Sequence, residues 1–375
     1  MSNRSLRATL AVTVLVGVLM EPARAGFVVT NLVTNDQSAH SAQITDPNLK
    51  NAWGISRSAT SPFWVSANGT GVSTVYSVNP TTDVTAIAPL VVTIQGNGSV
   101  TGQAFNGGVG FDGDLFLFVN EDGTVSGWRG ALGTTAEVLV TGVPENVYKG
   151  ATQATIGGES YLYAANFKSG AIDVYKGDSS APNLTGNFTD PNLPAGYAPF
   201  NIQNLDGKLY VSYAQQNADK DEDVPGAGHG IVNVFDLQGN IISRVASTGG
   251  PLNSPWGMAI APASFGAIAG DLLVGNFGDG RINVFDLPTN SFVGQLMDTI
   301  GNPLAIDGLW GLIAGNGGSA GSLDRIYFSA GPDDEANGLF GVISGSTTAA
   351  VPEPGSIVLA LIGAAIVGLR MRRRM

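Results

Sequence analysis

An all-β chain, and within that class a six-bladed β-propeller of four-stranded blades, is what this sequence predicts, on three observations. Six related units recur with starts 43 to 56 residues apart, a spacing typical of repeat architectures. Each unit resolves into short apolar strands separated by Gly-, Asn- and Asp-containing turns. No stretch of the body sustains a 3.6-residue period, so helices are minor. The composition agrees: 52 of 375 residues are Gly and only 13% are charged, which fits tight turns between short strands and not a charge-driven disordered chain.

The unit starts read as Trp53-Gly54, Phe105-Asn106, Tyr148-Lys149, Phe200-Asn201, Trp256-Gly257 and Trp310-Gly311. A second strand then ends in a polar turn: residues 63–68, 115–120, 161–166, 209–215, 272–276 and 326–330. Third strands alternate in and out, as in 73–76, 125–128, 171–175, 231–235 and 281–285, and 136–140 and 241–246 read as fourth strands. The last unit runs out at its third strand, residues 338–343. The unassigned strand 27–33 is predicted to pair there, closing the ring and hiding its open edges.

Formal net charge is −12, unevenly spread. Seven of the 18 basic residues lie outside 26–350, against two of the 30 acidic ones, which leaves the body near −17. Such a surface repels phosphates and argues against nucleic-acid binding. Cysteine is absent and only His40 and His229 exist, so disulfides, thiolate sites and a His-rich zinc site are excluded. No Ser-His-Asp set and no phosphate-cradling Gly-rich loop opening a helix is identifiable.

Both ends read as addresses. Arg4 and Arg7, an apolar stretch at 8–20 and Ala23-Arg24-Ala25 predict a secretory signal over residues 1–25. The propeller is expected over 26–345 and a short linker over 346–350. Residues 351–375 combine Pro352-Glu353-Pro354, a short apolar run at 356–369 expected as a transmembrane helix, and Arg370, Arg372, Arg373 and Arg374. This end resembles a PEP-CTERM sorting signal. The resemblance implies a Gram-negative bacterium, recognition by an exosortase, transient membrane anchoring, cleavage near the motif, and an envelope or extracellular location. A plain tail anchor is the alternative. The stretch 276–286, Asn-Phe-Gly-Asp-Gly-Arg-Ile-Asn-Val-Phe-Asp, resembles an NHL repeat, with weaker copies at 166–175 and 230–236. The whole chain looks like an uncharacterised family of PEP-CTERM-associated propellers, which implies a fold and an address but no activity.

The candidate binding residues are Asn68, Asn120, Asn166 and Asn276, at equivalent turns, with Trp53, Trp256 and Trp310 expected near the same face. Amides bond sugar hydroxyls and rings cover apolar sugar faces. The competing reading is structural: Asn suits left-handed turns, and rings wedge blades apart. Asp219, Asp221 and Asp223 are candidate metal ligands, with Ca²⁺ the cation their oxygens suit, although the EF-hand pattern fails because Val224 and Gly230 stand where Gly and Glu are needed. Asp333-Asp334-Glu335 is a similar acidic run. The expected function is a non-enzymatic binding or scaffold module for polysaccharide or protein. The alternative is a metal-dependent hydrolase or lactonase with its site in the central channel, for which Asp112 and Asp307 are the nearest carboxylates.

Overall fold

The computed structural model describes residues 26–346, and they form a closed ring of six sheets. Blade 1 comprises Ala52–Ser56, Phe63–Ala67, Val72–Val78 and Thr85–Thr93. Blade 2 comprises Val100–Phe105, Phe116–Asn120, Val125–Trp128 and Glu137–Val140. Blade 4 comprises Tyr197–Leu205, Lys208–Gln215, Ile231–Phe235 and Ile241–Ala246, and blade 5 Pro255–Ile260, Leu272–Asn276, Ile282–Asp286 and Ser291–Gln295. All are antiparallel meanders.

The strands read as near-continuous apolar runs because each blade is covered on both faces. In Phe63–Ala67, Phe63 and Val65 pack toward blade 6 with Tyr327 and Phe340, while Trp64 packs toward blade 2 with Phe116 and Trp128. Alternate side chains point to opposite faces of a strand, so one strand feeds two cores. Six such clusters lie between neighbouring blades, and a seventh, of Trp53, Phe167, Phe200, Trp256 and Trp310, lies on the axis.

Closure follows the sequence expectation. Leu309–Ala314, Ile326–Ala330 and Leu339–Gly345 form the inner part of blade 6, and Phe27–Thr34 pairs antiparallel with Leu339–Gly345, from Phe27 opposite Gly345 to Thr34 opposite Leu339. A short strand, Ile44–Thr45, adds a parallel fifth, which the sequence reading did not foresee.

Blade 3 carries three strands, Tyr148–Ile156, Glu159–Asn166 and Ala171–Lys176. The segment after Lys176 contains Pro182, Pro191 and Pro194, which cannot donate to a ladder. It inserts Phe188 between blades 3 and 4 instead, with ring centroids 5.6 Å from Tyr163 and 5.4 Å from Phe235.

The innermost strands share a device that the unit starts had misplaced. Each shifts register near its beginning, at 52/55, 100/103, 148/150, 199/201, 255/258 and 309/312. At these bulges the strands crowd round the axis, and five carry Gly. A Cβ on Gly54 would lie 2.6 Å from Thr101 O, and one on Gly102 2.4 Å from Ala151 N. Blade 4 has Asn201 there, whose amide donates to Trp256 O at 2.8 Å. The residue before the crowded position is therefore Trp53, Thr101, Lys149, Phe200, Trp256 and Trp310 in turn. Phe105 ends its strand, and Tyr148 turns its hydroxyl away to Asp173 at 2.7 Å and Tyr175 at 2.5 Å.

Candidate functional site

The axis is filled at one end and hollow at the other. At the filled end Trp53 stacks on Trp310 with centroids 3.7 Å apart, and Phe277 stacks on Trp310 at 3.9 Å. Trp256 meets both tryptophans edge-on, at 6.4 and 5.8 Å. The three tryptophans expected to form a binding platform are 1–4% exposed, so in this structure their faces are occupied by one another. We call this end the mouth.

Beside the stack lies Lys149, fully buried, its ammonium 5.3 Å from the centroid of Trp53. It donates to Glu121 Oε1 at 2.5 Å and Glu222 Oε2 at 3.0 Å. Asn68 Nδ2 donates to Glu121 Oε2 at 3.3 Å, and Asn51 Nδ2 donates to Asn68 Oδ1 at 3.3 Å and to Glu335 Oε2 at 3.0 Å. Asn51 Oδ1 in turn accepts from the indoles of Trp53 (2.8 Å) and Trp310 (3.1 Å). One hydrogen-bonded belt thus gathers side chains from blades 1, 2, 3, 4 and 6 around a single ammonium. Glu335 reaches it from three consecutive left-handed residues, Asp333, Asp334 and Glu335, a conformation rarely adopted outside Gly.

Electrostatics follow from this crowding. Burial alone would lower the pKa of Lys149, but Glu121 and Glu222 outweigh it and keep the ammonium charged. Burial, and then the charges of Glu222 and Glu121, push Glu335 up to about 7. Burial also raises Asp223, with Lys149 opposing.

The sequence candidates separate. Among the turn asparagines, Asn68 joins the axial belt. Asn120 donates to Gln95 O, Asn166 to Asn146 and Asp173, and Asn276 to Pro251 O and Asp279, each tying local loops together. Asp219 is exposed and Asp221 accepts from Asn217, while Asp223 is turned inward. Among the described residues no group of three His, Asp or Glu is placed to hold a metal ion. Asp112 sits in the turn after the first strand of blade 2, whereas Asp307 precedes the first strand of blade 6, so they lie at opposite ends of the channel. His40 pairs with Asp333 at 2.7 Å, and His229 lies against Val224 O. The reading of residues alone missed Lys149, Glu121, Glu222 and Glu335 as a set. The available signal was a lysine immediately before the bulge Gly, where three other blades place Trp.

The hollow end is a cavity of about 410 Å³ lined by the later residues of the innermost strands, among them Ser56, Gln103, Gln153, Gln203 and Asn204. Trp256 closes its inner end, and Phe105 also lines it.

Glu335 gives the molecule a pH dependence of definite sign. Below about pH 4.5 its carboxyl is protonated in both folded and unfolded chains. Between there and about pH 7 the unfolded chain ionises first, so the folded state binds more protons and stability falls as pH rises. Asn51, Glu121, Lys149 and Glu222 are the groups that face it. Asp114, raised to about 6 by burial against the opposing Arg129, acts in the same direction at lower pH. Urea unfolding should therefore show greater stability at pH 5.5 than at pH 8, by on the order of 2 kcal/mol. Glu335→Gln should flatten the upper part of that slope. An unchanged slope in the variant would remove Glu335 as its source.

Taken together, the molecule is a closed six-bladed propeller with a charged belt at one channel end and a neutral cavity at the other. The chain belongs to the family of the uncharacterized proteins R648 and L690 of Acanthamoeba polyphaga mimivirus. It is 34% identical to R648 over 337 residues, covering 83% of this chain and 78% of that protein, and 34% identical to L690 over 317 residues, covering 79% and 80%. Residues 350–374 match the PEP-CTERM protein-sorting motif, which marks the chain for export and envelope-directed sorting by exosortase-type machinery. The apolar run expected as a transmembrane helix lies outside the described residues, as does the predicted signal segment. Among the described residues no helix is long and apolar enough to cross a membrane. Solved structures of similar outline include streptogramin B lyase (11% identity, TM-score 0.47, 87% of this chain and 100% of that one). Another is the PQQ-bound aldose sugar dehydrogenase of Streptomyces coelicolor (15%, 0.48, 87% and 99%). At that likeness no chemistry carries across.

Proposed function

We propose that this protein is an exported, envelope-sorted binding or scaffold module for extracellular polysaccharide or protein, and that the hollow end of its channel is the recognition site. The observation that carries this reading is the contrast between the two ends. At the mouth the polar groups are engaged with one another through Lys149, Asn51 and Asn68. At the hollow end amide side chains and strand backbone line an open cavity of small-ligand size. The ammonium of Lys149 stands among Glu121, Glu222 and Glu335, where a channel-centred hydrolase would need its cation, and this weighs against the metal-dependent alternative. The sorting motif supports an extracellular ligand.

Mature protein from the native host should begin near Gly26 and lack Arg370 to Arg374 by intact mass. It should be retained by the host's own extracellular matrix and turn over neither its polysaccharide nor simple lactones. A stoichiometric, tightly held metal found by elemental analysis, together with hydrolysis abolished by chelation, would overturn the module in favour of the hydrolase.

A further inference from the structure

The hollow end also defines a class of ligand. We infer that the cavity takes the terminal residue of a neutral polysaccharide, and that the protein therefore recognises chain ends. This rests on reading the protein as a binding module. Three observations on the cavity carry it.

The first is its size. At about 410 Å³, with residues from the innermost strands of all six blades in its wall, the space is that of a small-ligand site.

The second is the chemistry of the wall. Gln153 directs its amide nitrogen at Thr155 and Ser160, and Gln203 directs its own at Leu312 O. No protein donor reaches either side-chain carbonyl oxygen, so both remain as acceptors on the half-buried wall. Thr152 accepts from Asn204 N, which leaves its hydroxyl proton to donate. Two acceptors and the Thr152 hydroxyl on one wall match the vicinal hydroxyls of a sugar, which donate and accept at once. The two charged lining residues, Arg57 and Asp206, are of opposite sign, and Arg57 points its guanidinium at the carbonyls of Ala314 and Gly315. The site thus has no net charge to hold an acidic or basic ligand. The half-buried Phe105 supplies the apolar surface that covers a sugar's C–H face.

The third is the blind end. Trp256 belongs both to the cavity and to the axial stack, and it is 4% exposed. Behind it Trp53, Trp310 and Lys149 fill the axis. A polymer cannot be threaded through, so only a chain end fits.

The test uses the mature body and neutral and acidic oligosaccharides released from the host exopolysaccharide by partial acid hydrolysis. Saturation-transfer NMR should detect binding of the neutral fraction. Gln203→Leu and Gln153→Leu should each weaken it at least about tenfold, with folding checked by thermal melting. Two variants are used so that one that fails to fold does not decide the matter. Glu222→Gln, at the opposite mouth, should leave binding unchanged. Shearing the intact polymer should raise the amount of protein bound per gram in proportion to the number of chain ends. Binding of the acidic fraction alone, binding indifferent to both cavity variants, or capacity unchanged by shearing would overturn the inference. If the intact polymer still retained the protein in those cases, the binding-module reading would stand without this site. Loss of all retention would sink that reading too.

Discussion

Removing Phe27–Thr34 should unfold the propeller, although the deletion touches neither end of the channel. The strand contributes three almost fully buried side chains, Phe27, Leu32 and Val33. Phe27 packs on Phe265 with ring centroids 4.7 Å apart, in the cluster between blades 5 and 6. Leu32 and Val33 belong to the cluster between blades 6 and 1, with Tyr327 and Phe340. Burying each such side chain stabilises by about 1.5–3 kcal/mol, so together they contribute on the order of 5–9 kcal/mol. That is comparable with the whole net stability of about 5–15 kcal/mol typical of folded proteins. The deletion also strips the hydrogen bonds from the outer edge of Leu339–Gly345, exposing a flat strand edge that invites pairing between chains. The truncated body should aggregate or melt far below the full body. A synthetic peptide of residues 26–36 added in trans should restore part of the transition. A truncated body melting within a degree or two of the parent would show that the ring does not depend on this strand.

The propeller was legible because its physics is local and repeated. Strands such as Phe63–Ala67 and Leu272–Asn276 are buried on both faces, so they appear as unbroken apolar runs bracketed by turn residues. Even the closing strand was visible, because residues 27–33 were apolar and unclaimed. The innermost register was harder to read. It depends on a bulge whose mark is one Gly in a Gly-rich chain, and neighbouring aromatics such as Phe105 and Tyr148 are stronger decoys. Of the charged belt only Lys149 left a mark, standing before the bulge Gly where three other blades place Trp. Glu121 and Glu222 leave second-strand turns of blades 2 and 4, and Glu335 sits in the left-handed turn of blade 6. They are about a hundred residues apart along the chain and meet only because the ring closes. The orientation of the tryptophans depends on packing across the axis, which no single repeat contains.

The belt makes Lys149 the side chain whose loss should be felt most after the closing strand. Lys149→Met keeps the length and apolar stem but removes the ammonium. Glu121, Glu222 and the neighbouring Glu335 then share the mouth without a cation. Breaking one side of a buried ion cluster costs about 3–5 kcal/mol, because the remaining charges stay desolvated. Glu222 is largely open to water and Glu121 partly so, which places the expected loss near the lower end, about 3 kcal/mol at pH 8. The loss should shrink toward pH 5.5, where Glu335 is protonated and no longer adds its charge to the cluster. It should also shrink when charge is removed by substitution, so the triple variant Lys149→Met, Glu121→Gln, Glu222→Gln should recover most of the stability. That recovery separates an electrostatic role from simple packing against Trp53, because the triple variant retains the same methionine. Urea unfolding of the parent, single and triple variants at both pH values measures each quantity. A single variant as stable as the parent at pH 8, or a triple variant no better than the single, would mean that the ammonium does not hold the mouth together.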